Sequence, residues 1–442
     1  MSRSDAERSN RSTLAILFIV LFMDLAGFSI IFPLFPAMLE HYMEVEGETG
    51  GLISIVYNTI SAWSGDPDDS FRSVVFFGGV LGSIYAFLQF FSSPIWGALS
   101  DRFGRRPIMI VTVGGWALSH LLWIFSARFE MLLVARVFSG LMAGNVGVAT
   151  AIVADITSPE QRSKSMALIG VALGLGFIIG PAIGGLTAGW SLGPGTAGSW
   201  IGINPFSAPA LVACICSSLS FLWIVLKLPE TLPVENRARD SQRSAIPPIL
   251  KIGKTKDTTL GRLVLAYFIF LFAFSGMEFT ITFFAVDSFN YTPMQNGMMF
   301  VFIGMVLVLS QGGLVRRLAP RIGDRKMAFA GMVLGAVGFL VLSMSGESEP
   351  IFYTALAIIG IGISFINPTV SALVSHISEA NEQGRNLGIL RSSGSLARAV
   401  GPILGSLVYF ILSPQSAYLA CGICGLIALA LFARIKVADA QS

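Results

Sequence analysis

A chain of 442 residues that is 54% hydrophobic and only 12% charged has too little polar surface to be a soluble protein of that length. Its net charge of +3 is small and its basic residues are scattered through short segments, so a nucleic-acid footprint is excluded. The four cysteines lie in apolar runs, and Cys421-x-x-Cys424 has no histidine or acid beside it. They read as small packing residues, so no metal, redox pair or cofactor is expected.

In chain order, twelve apolar segments stand at roughly 14–39, 74–96, 108–127, 131–154, 166–189, 207–228, 263–286, 297–315, 327–345, 351–375, 387–412 and 416–433, each about long enough to cross a bilayer. Backbone in lipid must satisfy its own hydrogen bonds, and these runs are too long for the alternating strands of a barrel. The expected fold is therefore an all-α integral membrane protein with twelve transmembrane helices in two pseudo-symmetric six-helix bundles. The first run is too long for a signal peptide and has no small-x-small cleavage pattern, so it reads as a retained span.

An acidic segment, 40–73, follows the first span, with Glu40, Glu44, Glu46, Glu48, Asp66, Asp68 and Asp69 around an apolar stretch, Leu52–Ile60. Asp66-Pro-Asp-Asp-Ser70 reads as a solvated turn rather than a cation site. Between the second and third spans lies the charged turn Gly97–Arg106, with Asp101, Arg102, Arg105 and Arg106 close together. Residues 229–262 carry four prolines and many Lys and Arg and read as a cytoplasmic linker. The expected domains are 1–228, the linker 229–262, and 263–442. With the Gly97–Arg106 turn placed inside, the same side also holds most of the other Lys and Arg, while Arg72 and Arg128 fall among the acids opposite. That bias puts both termini in the cytoplasm.

The halves repeat. Gly180-Pro181-Ala-Ile-Gly184 in span 5 matches Gly401-Pro402-Ile-Leu-Gly405 in span 11, Glu160-Gln161 matches Glu382-Gln383, and Leu21-Phe22 matches Leu271-Phe272. Repeated sets of six spans are a layout of secondary transporters.

Four motifs then carry a family resemblance over nearly the whole chain. They are Gly97-x-x-x-Asp101-Arg102-x-Gly104-Arg105-Arg106, Arg136-x-x-x-Gly140-x-x-x-Gly144 with Ala154-Asp155, Gly176-x-x-x-Gly180-Pro181-x-x-Gly184-Gly185, and Asp24-x-x-Gly27-Phe28 with Pro33 and Pro36. In this order they resemble the major facilitator superfamily, and within it the drug:proton antiporters of tetracycline-transporter-like pattern. The second-half copy of the charged turn, Gly313 to Gly323, departs from the pattern, with Pro320 at the aspartate position. The long 40–72 loop and Ser73–Gln89 look more like the tetracycline-transporter-like proteins of animal cells, a resemblance that implies organic anions.

Charge inside a span is costly and points to function. Asp24 lies about 15 Å into span 1, near the midplane, where burial and a nearby cation act on a carboxyl's charge in opposite directions. A proton and a substrate competing for that balance would produce antiport. Arg136 in span 4 has a proton-coupling role by resemblance, and Glu278 in span 7 is assigned to coupling with it. Arg398, about 18 Å into span 11, keeps its charge and needs a carboxylate or an anionic substrate, with Asp24 or Glu278 as candidate partners. Three arginines, Arg136, Arg398 and Arg391 seven residues before it on the same face, against two acids, Asp24 and Glu278, favour neutral, zwitterionic or anionic substrates. Gln89, Asn145, Gln311 and Asn367 are pocket candidates because a buried amide needs a partner, and Phe28 is an aromatic one. Asn367-Pro368 is expected to break span 10. Asp101, Arg102 and Arg105 read as a conformational latch with Gly97, Gly104 and Arg106, with Arg162 a further partner; Arg391 would brace it. Gly180, Pro181 and Gly184 give span 5 a small, kinkable face.

The reading is a monomeric transporter in the cell (inner) membrane that exports a small amphipathic compound or drug in exchange for protons by alternating access. Its partners are the substrate, protons and lipid. An organic-anion or nutrient facilitator or symporter is the rival within transport, and a non-transporting receptor or scaffold the rival outside it. No constellation for an enzyme stands out: His120 is alone in span 3, and His376 lies at a membrane edge.

Overall fold

A computed structural model describes residues 3–46, 51–64, 70–193, 201–237, 249, 258–379 and 382–435. Asp66, Asp68 and Asp69, most of the linker and the C-terminal tail lie outside the described residues. Regular structure among the described residues is entirely helical, as lipid requires of a chain that does not close a barrel. Twelve helical stretches are long and apolar enough to cross a membrane, the first Asn10–Glu46 and the last Pro414–Ala433.

Span 1 is α1, Arg3–Ser29, then a 3₁₀ turn at Phe32–Leu34, then α2, Phe35–Glu46. The interruption falls where Pro33 and Pro36 withhold backbone donors. The apolar stretch between the acids forms α3, Leu52–Ser64. Its first amide, Leu52 N, donates to Glu130 (3.1 Å), while Glu46 at the end of α2 accepts from Phe129 N (2.7 Å). Arg128 pairs with both carboxylates, so the start of the acidic segment is tied down by charge.

Next come α4, Ser70–Phe103, and α5, Arg105–Ile124, joined at Gly104. Span 4 is divided into α6, Phe129–Leu141, and α7, Asn145–Ile156, around Gly144, where a Cβ would run into Trp96. Then follow α8, Pro159–Thr187, and α9, Ser207–Lys227. The second half contains α10, Thr258–Phe289; α11, Pro293–Leu309; α12, Arg316–Ile322; α13, Asp324–Ser343; α14, Glu349–Ile377; α15, Gln383–Ile411; and α16, Pro414–Ala433.

Three details differ from expectation. Helix α14 runs unbroken through Asn367-Pro368, since a transmembrane helix tolerates an internal proline where its neighbours can re-satisfy the freed backbone groups. Span 8 does not end near 315. It passes through a π-helical turn, Ser310–Val315, and continues as α12 to Ile322. The two adjacent glycines at 312 and 313 lower the cost of that local widening. In the looser copy of the charged turn, Gly323 still takes a left-handed φ of 83°, as Gly104 does at 103°. The repeat therefore survives in the backbone where the aspartate is lost.

Contacts gather the chain into two compact units. Unit 1 is Met1–Ser54, Leu88–Ile246 and Pro293–Val301; unit 2 is Ile55–Phe87, Pro247–Thr292 and Phe302–Ser442. Each unit thus combines residues from both sides of the 229–262 segment. The core of unit 1 brings Leu17, Val20 and Leu21 of α1 against Met109 and Val113 of α5, Val148 and Ile152 of α7 and Ile224 of α9, all sealed from solvent.

Glycines decide how closely the helices approach. In unit 1, Gly176, Gly180 and Gly184 of α8 lie on the backbone of α1, where a Cβ would meet Phe22, Ala26 and Ile30 carbonyls. In unit 2, α15 repeats this on α10: a Cβ on Gly401 would sit 2.7 Å from the Phe272 carbonyl, and one on Gly405 2.8 Å from the Gly276 Cα. By contrast, a methyl added at the α8 glycines Gly170 and Gly174 would meet nothing within 4 Å. Gly184→Ala is therefore expected to destabilise the protein by about 1–3 kcal/mol, the cost of overpacking, and Gly174→Ala by no more than about 0.5 kcal/mol. Thermal melting of the two purified variants in the same detergent checks the contrast.

Candidate functional site

In unit 1 the charged turn is built around one buried cation. Arg105 is 5% exposed. Its guanidinium forms ion pairs with Asp101, one helical turn back, and with Asp155 at the end of α7 (2.8 Å), and also donates to the buried Ser100 hydroxyl (2.8 Å). Two carboxylates and a hydroxyl thus replace the water that a guanidinium would otherwise bind. Gly104 has two reasons to be glycine: its φ is left-handed, and a Cβ there would strike Glu230.

Glu230 is a residue that the sequence reading missed. Its carboxylate accepts from the backbone N of Arg105 (2.9 Å) and Arg106 (3.3 Å), at the N-terminus of α5. It also accepts from Thr231 and Leu232 (3.0 Å each) and pairs with Arg237 (3.6 Å). A negative charge there complements the helix dipole. Arg106 reaches the Val225 carbonyl (2.8 Å), whereas Arg102 lies over the Phe103 ring and is exposed. Gly97 accepts from the Ser100 hydroxyl (2.8 Å). The signal for Glu230 was a lone acid between two prolines directly after span 6. The side chain of Arg162 lies outside the described residues.

Deeper in unit 1, Asp24 is 1% exposed and accepts from the Asn145 amide at 2.8 Å. Two residues singled out separately, one for coupling and one for substrate, therefore meet. The Ser220 hydroxyl of α9 faces the same carboxyl. The other oxygen, Oδ1, has no hydrogen-bond partner among the described residues. Arg136 stands elsewhere, with its guanidinium over the Phe35 and Trp123 rings (5.6 and 5.7 Å). It lines a small cavity with Phe28, Trp116, Ser119, His120, Trp123 and Ser139. Phe28 stacks on Trp116 there, with ring centroids 6.1 Å apart. His120, set aside in the sequence as solitary, belongs to this group. The stripe Trp116, His120, Trp123 at helical spacing was its legible signal.

In unit 2, Arg398 and Arg391 are exposed along one face of α15. Arg398 lies close enough to act electrostatically on half-buried Glu278, and both arginines act on Tyr267. Of the two carboxylates considered for Arg398, Glu278 is the one in its own unit. Tyr267 donates to the Asn367 side-chain oxygen (3.3 Å). It too was missed, although it precedes Glu278 by eleven residues, three helical turns, and so shares its face of α10. Gln311 is exposed in the π-helical turn, and Gln89 is half-buried in α4. Gly180 and Gly184 belong to the α8–α1 contact, and the Pro181 carbonyl faces Gly297 of α11, so none of the three joins either polar cluster. Among the described residues no cluster of three His, Cys, Asp or Glu is arranged to hold a metal.

A sequence profile described as Major Facilitator Superfamily matches residues 17–321 and 314–441. The mouse major facilitator superfamily domain-containing protein 10 is 32% identical, with 97% of this chain and 94% of that one covered. The class B tetracycline resistance protein of Escherichia coli is 26% identical over 90% of this chain and 88% of its own. Among solved structures, the crystal structure of the human organic anion transporter MFSD10 (TETRAN) superposes with a TM-score of 0.76 at 31% identity, covering 96% and 99% of the two chains.

The buried pairing at the charged turn generates a stability prediction. Arg105→Ala leaves two carboxylates without their cation and is expected to cost about 3–5 kcal/mol. Glu230→Gln, which removes a charge at a helix N-terminus, is expected to cost about 0.3–1 kcal/mol. Denaturation midpoints in detergent, compared at low and high salt, check the ranking.

Proposed function

The chain belongs to the major facilitator superfamily and is a multi-pass membrane transporter of a small molecule, and we propose that it exports an amphipathic organic anion in exchange for protons. The observation that carries this reading is Arg398. It holds a permanent charge within span 11, is exposed there, and has Arg391 on the same helix face. One acid, Glu278, stands against the two arginines, so the cluster retains a positive surplus that suits an anion. The organic anions of the human relative belong to the class that such a cluster would take.

Asp24 is the group proposed to carry the proton. Its hydrogen-bonding neighbours are an amide and a hydroxyl, so no fixed cation among the described partners holds it in the ionised state. The glycine contacts between α8 and α1, and between α15 and α10, support alternating access, because helices without intervening side chains can shift past one another. Gln89, Asn145, Gln311, Asn367 and Phe28 remain proposed substrate contacts, and Arg136 and Glu278 proposed coupling residues. The protein is proposed to act as a monomer in the cell membrane, with the Gly97–Arg106 turn, the linker and both termini cytoplasmic, the side that the basic residues favour.

A facilitator without proton coupling is the second reading. It is favoured by the complete burial of Asp24, which would serve equally well to brace α1 against α7 through Asn145.

Proteoliposomes with an internal pH-sensitive dye decide between them, with tetracycline-like compounds, fluoroquinolones and organic anions such as p-aminohippurate as the panel. Proton movement is expected only with substrate, and Asp24→Asn is expected to reduce it to background. Arg398→Gln removes a charge-assisted contact worth about 1.5–3 kcal/mol, so anion uptake at low concentration should fall at least about tenfold. Anion uptake by the wild type without proton flux would leave the facilitator.

A further inference from the structure

The cavity in unit 1 is lined by a guanidinium, an imidazole, two hydroxyls and three larger rings. That chemistry resembles an anion site, but the size decides otherwise. It has room for about one or two water molecules and none for an organic anion. The indole Nε1 of Trp123, on its wall, is buried with no hydrogen-bond partner among the described residues, a donor that water would satisfy. We propose that this cavity is the point at which protons enter the interior of unit 1, and that His120 relays them to Asp24. The inference rests on Asp24 being the coupling carboxyl.

The hydrogen bonds around His120 suit one tautomer. His120 Nδ1 lies 3.0 Å from the Ser217 hydroxyl of α9. That hydroxyl has a single proton, which it directs to the Ala213 (3.0 Å) or Cys214 (3.1 Å) carbonyl. In the proposed resting state it accepts from the imidazole, so Nδ1 carries the hydrogen and Nε2 keeps its lone pair. A proton arriving from cavity water binds Nε2. Nδ1 then releases its own proton to Ser217.

Ser220 lies one turn after Ser217 on α9, and both are sealed from solvent. Ser220 donates to the Val20 carbonyl only at 3.5 Å, a loosely held proton, and faces Asp24. In the proposed relay each hydroxyl accepts one proton and passes on its own, Ser217 to Ser220 across one helical turn and Ser220 to the carboxylate it faces. On α1, Gly27 approaches the His120 ring, its Cβ position 3.5 Å from Cε1, and Asp24 is one turn earlier. One proton leaves the cavity for each one that Asp24 gains, and a ring flip restores the starting tautomer.

The polar and charged groups around this path come from α6, α7 and α9 itself. Arg136 of α6 acts on His120, and Cys216 of α9 lies close enough to Asp24 to feel its charge. Asn145 of α7 holds Asp24 without titrating.

The test compares wild type, Asp24→Asn, His120→Gln and Ser217→Ala in proteoliposomes, with the panel compound that the wild type transports, p-aminohippurate in the first instance. Two quantities are read: substrate-coupled proton flux, and substrate-for-substrate counterflow at equal pH, which needs no net proton movement. His120→Gln is expected to lower proton flux about tenfold or more and leave counterflow within about twofold, with Ser217→Ala following in the same direction. Proton flux that is lost in Asp24→Asn but normal in His120→Gln overturns the relay and leaves the coupling carboxyl standing. Normal flux in Asp24→Asn overturns the reading beneath it. If His120→Gln loses counterflow as well, Ser217→Ala decides, since it keeps the ring: normal proton flux there, or loss of counterflow there too, overturns the relay.

Discussion

Arg105 is a permanent cation with almost no access to water, and much of one end of unit 1 is arranged to answer that charge. Asp101 from its own turn, Asp155 from the end of α7 and Ser100 from α4 converge on one guanidinium. The first residues after α9 complete the arrangement through Glu230, which caps the helix that Arg105 begins. Four helices are thereby held by charge at one short turn. A buried charge cluster made this way is strong, because low local dielectric amplifies each contact, and it is costly to leave half-made. That is the property a two-state transporter needs from an element that must be either engaged or released.

The same constraint, that a charge kept from water must be answered by the protein, produces different solutions at the other sites. Asp24 is answered by neutral groups, Asn145 and Ser220. Arg398 has Glu278 nearby but remains exposed, together with Arg391 and near Tyr267. A fully neutralised ion pair holds structure, whereas a partly answered charge keeps affinity for something that comes and goes. The contrast separates the turn at Arg105 from the clusters to which transport is assigned.

Glycine supplies the mechanical counterpart. The contacts of α8 with α1 and of α15 with α10 place backbone on backbone at matching positions of the two halves. Such contacts gain dispersion energy without interlocking side chains. The turn glycines Gly104 and Gly323 share a left-handed backbone even though the residues around them have diverged. The repeat is thus retained most faithfully where only glycine is sterically permitted, and least where charges had to be matched locally.

The sequence by itself determined the twelve spans, the family motifs and which residues carry unusual chemistry. Helix in lipid is a local necessity, and a charge among apolar neighbours is visible one residue at a time. The depth of Asp24 could be counted along the chain, and so could the face shared by Tyr267 and Glu278. Which groups meet was decided only by tertiary structure. Asp24 and Asn145 are 121 residues apart, Arg105 and Glu230 125, and His120 and Ser217 97. No periodicity within one helix encodes which neighbour its polar face will find. That depends on packing angles set by many glycine and side-chain contacts at once, so His120 looked solitary in the sequence and became part of a cluster when α1, α5, α6 and α9 came together.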